Sequence, residues 1–337
     1  MPHVVIDVRV KPEALAKLQA AGVRTTVFEP VPMLGQAREL PVEVLRDADI
    51  LVCMLPPSNQ AEMTSLKLVQ LGSVGFAQLY GLDLVGRGVR ACNARGVYDT
   101  AIAEWNVAMM INLGRDLREM IRNQELARWT NVGRFAHEIR GSVVGLWGYG
   151  GIGRETARLA KALGMTVHVM ARRGVGPRDN AYTVPGTGDP DGTLPDRVFT
   201  AGEESDFLGG LDFLVLAMPL TPANTGLIGE RELGALKRGA FLLNPARGPL
   251  VQEKALLKAL ELGWLAGAAL DTHYYYPMPP EHPLWRFPNV IMTPHISGSD
   301  KGPHFTDRIW DIILHNVEHF LAGKPLWNEL TPAELNG

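Results

Sequence analysis

The sequence predicts an α/β protein with two doubly wound parallel-sheet domains joined by two long helices. Three observations carry this. Short apolar runs alternate with helical patterns over the first hundred residues. A long helical segment from Thr100 then interrupts the alternation, which resumes at about residue 142. An amphipathic helix closes the chain. Parallel strands need long crossovers, and helices are the usual way to make them.

The elements follow in order. VVIDV (4–8) reads as a strand, and PEALAKLQAAG (12–22) as a helix ending at a glycine. TTVFE, PVEVLRDA and ILVCML repeat the strand–helix–strand rhythm. TAIAEWNVAMMINLGRDLREMIRNQEL (100–126) carries apolar positions at helical spacing and reads as one long helix. A second α/β series runs from SVVGLWGYGG to about NVIMTPHI. DRIWDIILHNVEHFLAG (307–323) is the closing helix, stopped by Gly323 and Pro325. Packed back on the first unit, it makes that unit discontinuous: residues 1–103 plus 299–337, with 104–298 as the second domain.

One stretch has no periodicity. GVGPRDNAYTVPGTGDPDGTLP (174–195) is dense in Gly, Pro and Asp and reads as an irregular surface excursion. Its length makes it either functional or mobile.

Composition narrows the function classes. The 337 residues are 46% hydrophobic and 20% charged, as in a soluble globular protein of about two domains. A formal charge of -3 gives no drive toward nucleic acid or an anionic membrane. No apolar run reaches the ~18–20 residues that span a bilayer, and MPHVVIDVRV lacks the charged start and cleavage site of a signal peptide. A cytoplasmic location is the expectation. Cys53 and Cys92 stand in apolar, strand-like contexts and are expected to be buried free thiols. No metal site is expected.

The chemistry begins at a glycine fingerprint. Gly148, Gly150 and Gly153 form G-x-G-x-x-G between a strand-like SVVGLW and a helix-like GIGRETARLAKALG, with TVHVM as the following strand. That context separates a dinucleotide loop from a plain glycine-rich turn. The glycines, with Tyr149, Gly151 and Ile152, would let the backbone approach a pyrophosphate at the helix N-terminus. At the end of the second strand an NAD site usually carries Asp or Glu. Here Ala171 stands eighteen residues after Gly153, followed by Arg172 and Arg173. A missing carboxylate removes repulsion toward a 2′-phosphate, and two guanidiniums add attraction. NADP is favoured, with NAD as the alternative; the plain reading of the arginines is solvated loop residues.

Further segments, in fixed order, complete a resemblance. LKLVQLGSVGF (66–76), LAMPLTPANTGLIG (216–229), LLNPARGPLV (242–251), and ALDTH through HPLWRFPNVIMTPHISG (269–298) are similar to the D-isomer-specific 2-hydroxyacid dehydrogenase family over nearly the whole chain. The resemblance implies a flavodoxin-like substrate domain, a Rossmann nucleotide domain and hydride transfer between a nicotinamide and a 2-keto or 2-hydroxy acid. It implies that Arg247 binds and polarises the substrate and that His295 exchanges the proton at the C2 oxygen. It implies carboxylate binding by backbone N–H groups around Val74 and Gly75, with domain closure assembling the site. Trp285 would lie near the substrate. Pro219, Thr225, Asn244, Ala246, His295 and Ser297 would border the cofactor, and Asp271 would accept from the nicotinamide carboxamide. It further implies a homodimer through the arm ARWTNVGRFAHEIRG (127–141), where Trp129 and Phe135 suit an interface.

The pattern breaks at one position. Most members place a glutamate five residues after the aspartate equivalent to Asp271; here Tyr276 stands there, held in register by ALD before it and HPLW after it. A neutral phenol cannot stabilise an imidazolium as a carboxylate does, though it can orient or stack on the ring. His295 is therefore expected to titrate lower than in a Glu–His pair, so reduction should weaken at a lower pH. Tyr274 and Tyr275 are expected to pack, and His273 and His282 to be satisfied loop histidines. The leading expectation is an NADP-preferring reductase of glyoxylate, hydroxypyruvate or a bulkier 2-keto acid. The alternatives are formate oxidation without proton transfer, as in formate dehydrogenases of the superfamily, and a slow dinucleotide-sensing or protein-binding member.

Overall fold

The structure is a computed structural model that describes residues 1–29, 37–131, 138–172, 174–299 and 301–336. It divides into two compact units. The first comprises Met1–Val97, Asp179–Val184 and Lys301–Gly337; the second comprises Tyr98–Arg178 and Pro185–Asp300. The boundaries fall at 97 and 300 rather than 103 and 298, because the helix after Tyr98 packs with the glycine-loop helix.

The first unit holds β1 (His3–Asp7), α1 (Pro12–Ala20), β2 (Arg24–Val27), α2 (Val42–Arg46), β3 (Ile50–Cys53), β4 (Leu68–Leu71) and β5 (Arg90–Cys92). All its strand pairs are parallel, in the order β2-β1-β3-β4-β5, which is the flavodoxin-like order. β3 and β4 are buried along their whole length, so they read as continuous apolar runs rather than alternations. Cys53 and Cys92 are buried free thiols, and burial pushes both well above the usual thiol range.

The second unit opens with α3 (Asp99–Gly114) and α4 (Leu117–Glu125). The single long helix expected over 100–126 is thus two. Asp116 takes a left-handed backbone (φ 49°) directly after Gly114-Arg115 and breaks the ladder there; Asp is among the few residues that tolerate this conformation. Then follow β6 (Val143–Trp147), α5 (Gly151–Ala162), β7 (Thr166–Met170), β8 (Arg197–Phe199), α6 (Glu204–Gly209), β9 (Phe213–Leu216), α7 (Glu230–Ala235), β10 (Ala240–Asn244), α8 (Glu253–Glu261), β11 (Leu265–Leu270) and β12 (Val290–Met292). The order β8-β7-β6-β9-β10-β11-β12 is parallel throughout. It reverses direction between β6 and β9, the place where doubly wound sheets bind ligands at their strand ends. The glycine loop leaves β6 at that point.

α9 (Pro303–Leu321) and α10 (Pro332–Asn336) return to the first unit. α9 buries Trp310, Ile312, Ile313 and Val317. Its buried Asn316 bonds Gln70 of β4 at 2.7 Å and the Trp327 backbone at 2.8 and 3.0 Å. Residues 179–184 of the irregular excursion also belong to this unit. Tyr182 is 3% exposed, its hydroxyl donates to Asp311 at 3.1 Å, and its ring lies 5.5 Å from that of Trp327. Burial and the Asp311 charge raise the phenol above the ordinary tyrosine range. Among the described residues, no helix is long and apolar enough to cross a membrane.

Candidate active site

The glycine loop has three distinct demands. Gly148 has φ +105°, and a Cβ there would meet the Ala217 carbonyl oxygen at 2.6 Å. A Cβ on Gly153 would meet the Gly148 oxygen at 2.5 Å. These two are forced by packing. Gly150 differs: a Cβ there would meet nothing within 4 Å, so space is open beside the N-cap of α5, while at Gly151 a Cβ would meet the Asp99 carboxylate at 1.6 Å. The first-turn amides of a helix have no partners within it and carry the positive end of its dipole. An open concavity over such amides fits a pyrophosphate. Ile152 and Tyr149 are half-buried beside it.

The adenosine end lies at the close of β7. Ala171 is 9% exposed and Arg172 is exposed, while Arg173 lies outside the described residues. No carboxylate occupies the ribose-acid position. Past β9, Pro219 and Thr225 are exposed, and the Thr225 hydroxyl donates to the Thr221 carbonyl at 3.0 Å.

The excursion after β7 is braced onto this loop, a contact the sequence did not signal. Asp189 is 4% exposed and accepts from the Tyr149 hydroxyl at 2.6 Å and from the Thr193 and Leu194 amides at 3.0 and 3.1 Å. Burial alone would raise its pKa; the Tyr149, Leu194 and Thr193 bonds outweigh that and lower it. Burial and Asp189 raise the Tyr149 phenol. Arg154, 6% exposed on α5, donates to the carbonyls of Asp189 and Gly176, the latter at 2.6 Å. Glu155, 2% exposed, accepts from the Gly188 amide at 2.6 Å and pairs with Arg158 at 2.7 Å. Parts of this stretch are thus bonded to α5 and to the glycine loop.

Arg247 stands in the turn after β10, exposed. Asn244 makes that turn. Its amide donates to the Arg247 carbonyl at 2.8 Å, and its side-chain oxygen accepts from the Ala246 and Arg247 amides at 3.1 and 3.2 Å. The Asn244 side chain thus holds the backbone of the arginine turn, which half-buried Ala246 shares. The Arg247 guanidinium donates to the Ala246 carbonyl at 2.7 Å, and among the described residues no carboxylate forms an ion pair with it.

Asp271 is enclosed by the turn that carries His295. It is 0% exposed. One carboxylate oxygen accepts from the Thr293 hydroxyl at 2.5 Å and the Ile296 amide at 2.9 Å; the other accepts from the Ser297 amide at 3.0 Å and hydroxyl at 2.5 Å. A carboxylate offers about four acceptor positions, and in this structure these four bonds occupy them. What Asp271 holds is the turn carrying His295. That residue has φ +56°, a left-handed backbone that costs a non-glycine residue about 1–2 kcal/mol. Its amide donates to the Asp271 and Thr293 carbonyls at 2.9 Å each, and its ring is left at the exposed end.

The tyrosine run meets this histidine. The Tyr276 hydroxyl lies 3.1 Å from His295 Nδ1 and accepts from the His273 amide at 3.2 Å. The Tyr276–Pro277 peptide is cis. Tyr274 packs against the core beside β11, and burial raises its phenol above the ordinary range. Tyr275 donates to Glu253 of α8 at 3.3 Å. The same carboxylate bonds buried His282 Nε2 at 2.7 Å, while His282 Nδ1 accepts from the Leu284 amide at 3.2 Å. His273 Nε2 bonds the Thr293 carbonyl at 2.8 Å. Trp285 is 45% exposed with its indole N–H tied to the Pro279 carbonyl at 2.8 Å.

In the first unit, Val74 and Gly75 follow β4. Their carbonyls accept from Asn93 and Ser73 at 2.8 Å each. Among the described residues, neither amide donates to a protein acceptor.

Known proteins resemble the chain in sequence and in fold. The sequence profile described as D-isomer specific 2-hydroxyacid dehydrogenase, NAD binding domain, matches residues 107–297. A glyoxylate reductase of Thermofilum pendens is 32% identical over 308 residues, 89% of this chain and 85% of that protein. A solved D-lactate dehydrogenase of Treponema pallidum superposes with a TM-score of 0.76 at 25% identity, covering 98% of this chain and 100% of the other. A D-isomer specific 2-hydroxyacid dehydrogenase of Xanthobacter autotrophicus, solved with NADPH and MES, gives 0.73 at 25% identity and covers 99% of each chain.

Proposed function

The chain belongs to the D-isomer-specific 2-hydroxyacid dehydrogenase family, and we propose that it is an NADP-preferring reductase of a small 2-keto acid of the glyoxylate or hydroxypyruvate class. The observation that carries this is an exposed arginine, without a carboxylate partner among the described residues, in the same unit as a histidine whose turn is caged by Asp271. Arg247 would bind the substrate carboxylate through its planar fork and polarise the adjoining carbonyl. His295 would exchange the proton at the C2 oxygen. The Val74 and Gly75 amides, which have no protein acceptor among the described residues, would bind carboxylate oxygens, and Trp285 would serve the substrate side.

A bound nicotinamide would supply the hydride for reduction and accept it in oxidation. The glycine loop Gly148–Gly153 would take the pyrophosphate, and Pro219, Thr225 and Ser297 would border the cofactor. Ala171 with exposed Arg172 supports NADP over NAD, since no acid repels a 2′-phosphate there. The NADPH-bound relative from Xanthobacter supports the same choice.

Self-association belongs to the same reading. Trp129 is 99% exposed, with Leu126 at 56% and Ile121 at 55% nearby in sequence. Such apolar exposure supports a homodimer through the arm 127–141; Phe135 of that arm lies outside the described residues. Sedimentation giving a monomer would remove this part.

The deciding assay is a panel of 2-keto acids and formate with each nicotinamide, reduced and oxidised, across pH. Turnover of a keto acid with a better kcat/KM for NADPH is the expected result. NADPH binding without turnover on any substrate would instead promote a dinucleotide-sensing role.

A further inference from the structure

We propose that Tyr276 is the proton source for His295: its hydroxyl donates to Nδ1, so the imidazole works as its neutral Nε2–H tautomer. The tautomer stands on geometry alone; its use in turnover rests on the reductase reading above.

A carboxylate in the Tyr276 seat could only accept, which would place the imidazole hydrogen on Nδ1. A phenol both accepts and donates. The Tyr276 oxygen already accepts one bond, from the His273 amide at 3.2 Å. Its hydroxyl then meets Nδ1 at 3.1 Å with its own hydrogen to place. An oxygen already accepting from one N–H is polarised toward donation, because chained hydrogen bonds strengthen one another. The rings are 5.7 Å apart and tilted by 53°, so the contact runs through edge atoms rather than stacked faces.

The seat is rigid on both sides. His273 is tied to Thr293, and His295 is tied to Thr293 and Asp271, so the donor and acceptor ends share one frame. Behind Tyr276, the loop is pinned by Tyr274 in the core and by Tyr275 and His282 on Glu253. Sixty per cent exposure of Tyr276 leaves its ring open to water.

The proton count closes. As hydride from the reduced nicotinamide forms the C2–H bond and the C2–O π bond breaks, the oxygen takes the Nε2 proton. Nδ1 takes the phenol proton as the O–H bond breaks. The imidazole stays neutral and changes tautomer, leaving a tyrosinate that accepts from the His273 amide. Nδ1 then returns its proton to the tyrosinate as Nε2 takes one from water, and the imidazole resets. Two electrons come from the nicotinamide and one proton from solvent; oxidation runs the same path in reverse. No imidazolium is required, so reduction should persist at a pH where a free imidazole, ~6.5, is already neutral. This departs from the expectation of a lowered limb, which took the imidazolium as the acid. Among the described residues, the titratable and charged groups on the surrounding elements include His273, caged Asp271, the Glu253–His282 pair with Tyr274 and Tyr275, and Arg247. The last borders the loop through Gly248, where a Cβ would meet the His273 backbone at 2.5 Å.

The test has two arms. In apo protein with ¹⁵N-labelled histidine, at pH 8, His295 should show a pyridine-type Nδ1 and a pyrrole-type Nε2, assigned against H295N. Y276F should lose this bias and Y276E should reverse it. In the second arm, Y276F should lose about 100-fold in kcat for reduction, with its alkaline limb moved down into the imidazole range. A pyrrole-type Nδ1 in the unaltered protein overturns the proposal, as does Y276F with an unchanged spectrum and pH profile. Absence of keto-acid turnover with the expected tautomer would overturn the reductase reading and the relay, while the tautomer assignment stands.

Discussion

Asp271 and Ser297 are joined twice, through the serine amide at 3.0 Å and its hydroxyl at 2.5 Å, and both bonds fall on one carboxylate oxygen. The other oxygen serves Thr293 and Ile296. The turn they close holds His295 in a conformation that it would not choose alone.

Asp271→Asn should therefore act through position rather than charge on the substrate. Its NH2 would face two donors in place of one acceptor, leaving buried hydrogen-bonding groups unpaired at about 1–3 kcal/mol each. The expected result is a clear loss of urea stability and a fall in kcat of about tenfold or more, with NADPH affinity little changed. Unchanged stability, with binding of NADPH weakened instead, would return Asp271 to the nicotinamide.

Asp189 should matter to the cofactor from outside its reach. Asp189→Asn, and separately Tyr149→Phe, should loosen the glycine loop and weaken NADPH binding several-fold by fluorescence titration, with kcat at saturation changed less. The sign with pH follows from its lowered pKa. Its stabilising contribution is full above the unfolded carboxylate value of ~3.9 and is lost as pH falls through the lower folded value. The variant and the parent should therefore converge in stability in strong acid.

Cofactor choice should move with the end of β7. Arg172→Ala should cost NADPH about tenfold in kcat/KM, ~1.4 kcal/mol, and leave NADH nearly unaffected. Ala171→Asp should add an acceptor for ribose hydroxyls and repel the 2′-phosphate, narrowing or inverting the preference. Equal losses with both cofactors would remove Arg172 from phosphate recognition.

Acid sensitivity should begin earlier, from histidines far from the chemistry. Burial lowers the pKa of His3, His168 and His315, with Arg24, Arg197 and His319 adding to it respectively. A lowered folded value means that neutral imidazole is favoured in the native state. The stability so gained is present above the unfolded value of ~6.5 and is lost as pH falls through the folded value. The urea midpoint should thus drop between pH 7.5 and 5, and H168Q should drop less than the parent.

Much of the fold was legible because parallel strands and crossover helices leave local patterns. The buried runs of β3, β4 and β10 and the periodicity of α9 are written in consecutive residues. The glycine loop was legible for the same reason, since its strand, turn and helix are contiguous. The break at Asp116 was not, because it turns on one residue's backbone conformation inside a pattern that stays helical on both sides.

By itself, the sequence determined the two α/β series, the glycine loop on its strand–turn–helix, and the presence of tyrosine five places after Asp271. Only the tertiary structure decided that Asp271 spends all four acceptor positions on the His295 turn, that Asp189 reaches back to Tyr149, that Tyr182 is buried in the first unit, and that Tyr276 meets Nδ1. The reason is physical. Periodicity is a property of neighbouring residues, whereas these bonds join loops whose ends are brought together by strand order. Their donors and acceptors can be counted only once that order is known.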